Sequence, residues 1–435
     1  MDPVLYSPIL AAVLLLVLAS GLWVAVSLLV VALVGMVLFG NAPTELVMPS
    51  TIWGSVSGWT LTALPLFVWM GEILFRTKLA GDLFNGLAPW TTRLPGRLVH
   101  VNVIGCGIFA AVSGSSAATA ATVGQMSLPE LKARGYHEPV SIGSLAASGT
   151  LGLLIPPSII MIVYGVSANV SIARLFLAGV MPGLMMMALF MAYIMGWALL
   201  NKDKVPPPEP PLPLAEKVKR LRLLLPTVLL IILVIGSIYT GIATATEAAT
   251  LGVAGSLLVA LFSGSLSWAN FKESLVGATR TTCMIGFIIA SAGFLSVVMG
   301  YAGIPRELAR WIGTFHLSAY GLIFALTLLY LVLGCFLDGI SMVVLTTAVI
   351  MPMVEAAHID LIWFGIFIVL LVEIAQITPP VGFNLFVVQG LTGHNIVYVA
   401  RAVFPFFLVL CAGVLIITIY PEIATWLPRT MFAAG

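Results

Sequence analysis

The stretch Gly149-Thr-Leu-Gly-Leu-Leu-Ile-Pro-Pro-Ser-Ile-Ile-Met-Ile-Val-Tyr-Gly165 decides the fold. It is apolar enough to lie in a bilayer, yet Gly149, Gly152 and the pair Pro156-Pro157 interrupt any helix in its middle. Proline has no N–H to donate and its ring clashes with the preceding turn, so the helical ladder stops there. Interrupted backbone at membrane depth persists only where protein buries it or where it lines a cavity. The device recurs in Gln376-Ile-Thr-Pro-Pro-Val-Gly-Phe-Asn-Leu-Phe386, whose Pro379 lies 223 residues after Pro156. Paired proline-broken segments in two halves of a chain point to a binding site between the halves.

Composition sets the class. Hydrophobic residues make up 60% of the 435 positions and charged ones only 8%, against about 25% charged in soluble domains. The expected fold is an all-α polytopic membrane protein, with the lipid bilayer as its solvent and no nucleic-acid partner. A net charge of +2 decides little, because the position of basic residues matters and not their sum. Cys106, Cys283, Cys335 and Cys411 each fall in apolar runs without paired spacing, which predicts buried thiols rather than disulfides or a zinc site. Met1-Asp2-Pro3 lacks a basic leader, so residues 4–20 are expected to be a retained span.

Residues 4–39 hold 36 nearly uninterrupted apolar positions, enough for two spans of about 20 residues, with Ser20-Gly21 as the turn. A polar interval from Asn41 to Ser57 precedes a span at 59–79. Residues 98–126 differ: two short apolar arms meet at Ser113-Gly114-Ser115-Ser116. Neither arm is long enough to cross, which predicts a re-entrant hairpin. The broken span 139–166 and a span at 175–200 follow. Residues 201–222 read as a stiff Pro-rich linker, then come spans at 223–240 and 245–263. Residues 266–280 are expected to form an interfacial amphipathic helix before a span at 282–300. Arms at 319–337 and 340–354 meet at Asp338-Gly339, followed by a second broken span at 363–391 and a last span at 403–420. Ser115 and Pro156 are 41 residues apart, as are Asp338 and Pro379.

Placing residue 1 outside puts fifteen of the nineteen lysines and arginines in inner turns, which predicts both termini outside the cytoplasm. The first hairpin then opens from the inside and the second from the outside, making the halves inverted repeats.

Glu72, Glu247, Asp338 and Glu373 are the ionisable groups expected at membrane depth. Each is costly there and a functional candidate. No lysine or arginine sits at mid-span, so an anion would meet positive potential mainly at helix N-termini, each worth about half an elementary charge. Ser115 and Ser116 are placed to cap the second arm of the first hairpin, Asp338 that of the second, and Thr378 the helix after Pro379. Freed carbonyls, hydroxyls and a carboxylate are hard oxygen ligands suited to sodium. Two cation sites are expected. One joins Ser113, Gly114, Ser115 and Ser116 to Gly149 and Gly152; the other joins Asp338 and Gly339 to Thr378, Pro379 and Gly382. Substrate is expected between the tips, against Ser115, Ser116, Pro156, Pro157, Thr378 and Asn384.

Simpler readings exist for each part. Ser/Gly/Ala runs such as Gly114–Thr122 commonly serve close helix packing, prolines commonly kink, and Glu72 and Glu373 can tie neighbouring helices together. Repetition in matching order and spacing favours the site. The five histidines stand at no ligand spacing and no Walker-type loop is present, so neither a catalytic centre nor nucleotide hydrolysis is expected. The chain is not expected to be an enzyme, and no cofactor is expected beyond Na+ as coupling ion.

Ser113-Gly-Ser-Ser-Ala-Ala-Thr-Ala-Ala-Thr-Val-Gly124, Leu128-Pro-Glu-Leu-Lys-Ala-Arg-Gly-Tyr136, the Gly149–Ser158 stretch, Leu175-Phe-Leu-Ala-Gly-Val-Met-Pro-Gly183, Thr246-Glu-Ala-Ala249 and Ile377-Thr-Pro-Pro-Val-Gly382 together resemble a known family. It is the large membrane (M) subunit of tripartite ATP-independent periplasmic (TRAP) transporters, the DctM-like family, and the likeness runs over nearly the whole chain. The resemblance implies sodium-driven import of a dicarboxylate, sialic acid or keto acid through the bacterial inner membrane. It further implies delivery by a periplasmic substrate-binding protein, a small four-helix membrane subunit, and elevator motion. By position, 98–166 and 319–391 would form the transport domain. Residues 1–97, 167–318 and 392–435 would form the scaffold. The small subunit is expected as a separate chain, since no four-span block precedes residue 4. Rival readings are a stand-alone anion transporter of the inverted-repeat type and a channel or scaffold without coupled transport.

Overall fold

A backbone without water to bond must satisfy itself within helices, and every regular element among the described residues is helical. The computed structural model describes residues 3–39, 43–207, 212–304, 307, 310, 318–380 and 382–432. Among the described residues, five helices are long and apolar enough to cross a membrane, or up to eight if each sharply bent pair counts as one span.

Helices α1 (Pro3–Ala19) and α2 (Val24–Phe39) meet across Ser20-Gly21, where Gly21 takes a φ of +81°. The polar interval holds more order than its composition suggests. Helix α3 (Thr44–Val56) fills it from residue 44 onward and is bent by 52° from the segment containing α4 (Ala63–Phe75); Asn41 lies outside the described residues. Helix α5 (Leu79–Thr91) follows. Helices α6 (Val99–Ser113) and α7 (Ser116–Ala133) then fold back on each other. Helices α8 (Glu138–Leu154) and α9 (Ile159–Ser167) are bent by 41° at the Pro156-Pro157 break.

Helix α10 (Ile172–Leu200) returns across the molecule. The expected linker is only partly extended: α11 (Leu214–Leu221) begins inside it, with Glu216 and Arg220 paired at 2.8 Å one turn apart. Pro208, Pro210 and Pro211 lie outside the described residues. Helices α12 (Leu225–Tyr239) and α13 (Ala245–Phe262) match the expected spans. The interfacial helix and its following span are instead one element, α14 (Trp268–Tyr301), of 34 residues. Residues 280–282 contain no glycine or proline to stop it. At 1.5 Å per residue it reaches about 50 Å, well beyond a hydrocarbon core of about 30 Å. The polar turn expected next falls partly outside the described residues, Arg306 included; Arg310 pairs with Glu307 at 2.6 Å.

Helices α15 (Ala319–Gly334) and α16 (Gly339–Ala356) flank Asp338. Helices α17 (Leu361–Gln376) and α18 (Phe383–Thr392) flank the second proline pair. Helices α19 (Ile396–Ile419) and α20 (Glu422–Phe432) complete the order. The core centres on α8 and α17, both buried over nearly their whole length. Cys106 is buried as expected, whereas Cys283 lies exposed on α14.

Each half lends its final short helix to the other. Helix α9 packs on α16, and α18 packs on α7 and α8. The short helices beyond the two breaks are thereby held against opposite hairpins.

Candidate functional site

The first tip closes on the first break through backbone. Gly114 ends α6 at φ +63°, and its N–H donates to Ala110 O at 3.2 Å. A Cβ at Gly114 would lie 2.8 Å from Pro157 O, so glycine is required for both conformation and approach. The Gly114 carbonyl accepts from Ile159 N at 3.3 Å. One turn earlier on α8, a Cβ at Gly152 would lie 2.5 Å from Ser115 O. The tip meets α8 at Gly152, but Gly149 and Gly152 do not break the helix: both lie inside α8, which runs to Leu154, and the interruption is at the Pro156-Pro157 pair. A Cβ at Gly149 would face Ala120 and Asn384 instead of the tip.

Three oxygens gather there. Ser113 Oγ and Thr119 Oγ1 are 2.7 Å apart, and Thr119 Oγ1 donates to Ser115 O at 2.7 Å. Ser115 caps α7, its Oγ accepting from Ala118 N at 3.4 Å. Ser116 is the first residue of the helix, buried, and not its cap. Hydroxyl and carbonyl oxygens are donors a hard cation uses. Thr119 was not among the residues expected here, although its i+4 position from Ser115 puts it on the same helix face.

At the second tip Asp338 caps α16, its Oδ2 accepting from Ile340 N at 3.1 Å and Ser341 N at 3.2 Å, while Ser341 Oγ donates to Oδ1. Gly339 meets Val372 and, at 3.3 Å from its would-be Cβ, Gln376 Nε2. This tip therefore leans on the end of α17. Thr378 does not cap the helix after Pro379. Its Oγ1 donates backward to Ile374 O at 2.6 Å, and Gly382, with no side chain to cap with, is the N-cap of α18. A free hydroxyl on the last turn of a helix finds the i−4 carbonyl nearer than any following N–H. The carbonyls of Gln376 and Thr378 instead converge at 3.0 and 2.9 Å from where a Gly382 side chain would begin. Val381, in this break, lies outside the described residues.

The substrate expectation divides. Pro156 and Pro157 are buried beneath the first tip, whereas Pro379 and Pro380 are exposed. Asn384 is buried and its Nδ2 donates to Ala146 O at 3.2 Å, tying α18 to α8 beside Gly149. Ser158, absent from the expected set, caps α9: its Oγ accepts from Met161 N at 3.3 Å. The serine directly after Pro-Pro was the available signal. Replacing Asn384 with alanine is expected to lower stability by about 1–3 kcal/mol through the lost buried bond. A thermal melt of purified protein checks this, and an unchanged melt would mean the bond is not holding α18.

Besides Asp338, two more of the four acidic candidates lie near helix ends. Glu72 pairs with Arg76, which also reaches Glu273 of α14 at 3.7 Å. Glu247 is exposed and closes a capping box with Thr244, its Oε2 accepting from Thr244 N at 2.8 Å. A cavity of about 980 Å³ lies apart from the tips. It is lined by hydroxyl-bearing residues including Ser55, Thr60, Ser167 and Ser296, and by none of the expected site residues.

Comparison with known proteins gives a consistent likeness. Residues 11–423 match the family model for the tripartite ATP-independent periplasmic transporter, DctM component. The chain is similar to the C4-dicarboxylate TRAP transporter large permease protein DctM of Pseudomonas aeruginosa. That likeness is 33% identity over 372 residues, covering 85% of this chain and 86% of the other. It is 29% identical to the sialic acid TRAP transporter large permease protein SiaM of Vibrio cholerae, covering 96% and 97%. The isethionate TRAP transporter permease protein DctMQ of Oleidesulfovibrio alaskensis is 31% identical, covering 98% of this chain and 66% of that one. Among solved structures, the Alcanivorax borkumensis YdaH transporter superposes with a TM-score of 0.57 at 14% identity, covering 88% of each chain. That last likeness concerns the fold alone.

Proposed function

The chain belongs to the tripartite ATP-independent periplasmic transporter family as its DctM component, the large permease, and from that premise we propose that it imports a small organic acid by sodium symport. The observation that carries this reading is the oxygen cluster of Ser113, Ser115 and Thr119, held against helix α8 at Gly152, about one turn before the Pro156-Pro157 break. Oxygens alone, hydroxyl and carbonyl, suit a hard alkali cation. Asp338 at the second tip and the Thr378 carbonyl at the second break are the oxygens assigned to a second site in this reading. A substrate carboxylate between the tips would face the N-termini of α7, α9, α16 and α18, which supply positive potential without a buried arginine.

In this reading residues 98–166 and 319–391 are inverted repeats that move together as the transport domain. The remaining helices stay fixed in the bacterial inner membrane, with both termini periplasmic. The approach of α4 to the first tip, where a Cβ at Gly71 would lie 2.7 Å from Ser113 O, supports a close but side-chain-poor sliding boundary there. Substrate arrives on a periplasmic binding protein, and a small four-helix subunit braces the scaffold. The relatives' names span C4-dicarboxylate, sialic acid and isethionate, so an anionic headgroup is the shared element.

Reconstitution into proteoliposomes with the small subunit tests this. Uptake of a radiolabelled organic acid is expected only with an inward sodium gradient and the binding protein present. Uptake that runs equally well in potassium would exclude sodium coupling. Uptake without the binding protein would favour a stand-alone transporter.

A further inference from the structure

Helix α17 carries a carboxyl group that the proposed function does not use. Glu373 is fully buried, and neither Oε1 nor Oε2 has a hydrogen-bond partner. Gln376, also buried, has an unpartnered Oε1. Their i,i+3 spacing puts the two side chains on one helix face, with Cβ atoms about 5–6 Å apart. The second hairpin tip covers the neighbouring positions: Gly339 stands against Val372 and Gln376, and its would-be Cβ is 3.6 Å from Ile160 Cδ1.

Three buried acceptor oxygens without a donor are an unstable set when the carboxyl is ionised, because an unpaired charge out of water is strongly disfavoured. The adjacent Ile374 carbonyl is already engaged by Ile377 N and Thr378 Oγ1. One proton resolves the imbalance. It neutralises the carboxyl and turns one acceptor into an O–H donor that a rotamer change can aim at Gln376 Oε1.

Charged or titratable groups on the elements packed against α17 are Glu138 on α8, Tyr164 on α9, Arg174 and Tyr193 on α10, and Tyr320 and Tyr330 on α15. On α16 they are Asp338 and Glu355, on α19 Tyr398, Arg401 and Cys411, and on α20 Glu422 and Arg429; α18 has none. Tyr330 is bonded to Thr346, and the Tyr164 hydroxyl donates to Leu361 O at the far end of α17. Asp338 is engaged at its own cap, and Arg429 reaches Asp360. None of these partners is Glu373.

We propose that Glu373 is a proton-binding site, carrying its proton beneath the Asp338–Gly339 tip and releasing it to water when that tip withdraws. The step is a proton dissociation: the O–H bond breaks, its electron pair stays on the carboxylate, and water takes the proton. Occupancy of the site stands independently of the proposed function; release during a cycle rests on it.

Infrared difference spectra of the full chain in lipid at neutral pH test occupancy. Wild type is expected to show the C=O stretch of a protonated carboxyl, shifted in deuterated water and lost in Glu373→Gln. Glu373→Met gives the same comparison if the glutamine variant does not fold. A wild-type spectrum without such a variant-sensitive band overturns the site. Uptake against pH in proteoliposomes tests release: wild type is expected to vary with pH and Glu373→Gln to lose that component. A glutamine variant with the wild-type profile overturns release, whereas absence of uptake in wild type strikes the transport reading and leaves the infrared result standing.

Discussion

Replacing Asp338 with alanine is expected to abolish sodium-driven uptake, and replacing it with asparagine to reduce uptake sharply while the chain stays folded. The carboxylate holds three donors of its own turn, Ile340 N, Ser341 N and Ser341 Oγ. Alanine removes that cap, a loss of about 0.5–2 kcal/mol. Asparagine caps a helix about as well as aspartate, so it removes charge and little else. A charge-assisted bond is worth about 1.5–3 kcal/mol, so a cation that loses this ligand should need roughly 10–100 times more sodium for half-maximal uptake. Sodium titrations of both variants, beside melting curves, separate the roles. If Asp338→Asn titrates like wild type, the carboxylate is a cap and the second cation site lies elsewhere. Ser115→Ala should act through the first site in the same assay, by a smaller factor, because Ser113 Oγ, Thr119 Oγ1 and the Ser115 carbonyl remain.

Local chemistry was legible along the chain, and long-range packing was not. Gly114 and the serines around it announce a tight turn, and the Pro-Pro pairs announce breaks, because those residues restrict their own backbone. Asp338 before a run of apolar residues reads as a cap for the same reason. Thr378 misled because a hydroxyl beside a helix end has two partners within reach, the preceding carbonyl and the following amide. Only the path of the chain after Pro380 decides between them. The 266–280 segment misled differently: its amphipathic pattern is real, but no residue stops the helix, so it runs on into the apolar segment. The exchange of α9 and α18 between hairpins leaves no periodic trace, since both helices are short and largely apolar. Glu373 was visible as a costly residue; that neither oxygen finds a partner depends on how the neighbouring helices pack around α17, which no local pattern encodes.

Gly152→Ala should leave the protein folded and nearly abolish uptake. The added Cβ would stand 2.5 Å from Ser115 O, 2.7 Å from Ser115 C and 2.8 Å from Thr119 Oγ1. Two of those atoms are backbone at the tip, so no rotamer change relieves the clash. To recover an ordinary contact near 3.5 Å, the tip must retreat by about 1 Å. Overpacking of this kind costs about 1–3 kcal/mol, while alanine in place of glycine within a helix returns about 0.5–1 kcal/mol. The net loss of stability is therefore small. Function is more exposed, because the same retreat pulls the Ser113, Ser115 and Thr119 oxygens away from α8, and a misplacement of about 1 Å can cost on the order of 100-fold. Gly286→Ala, with nothing within 4 Å of its Cβ, is the matched control and should transport normally. Uptake by Gly152→Ala at the wild-type rate would mean that the tip does not need to seat on α8 during transport.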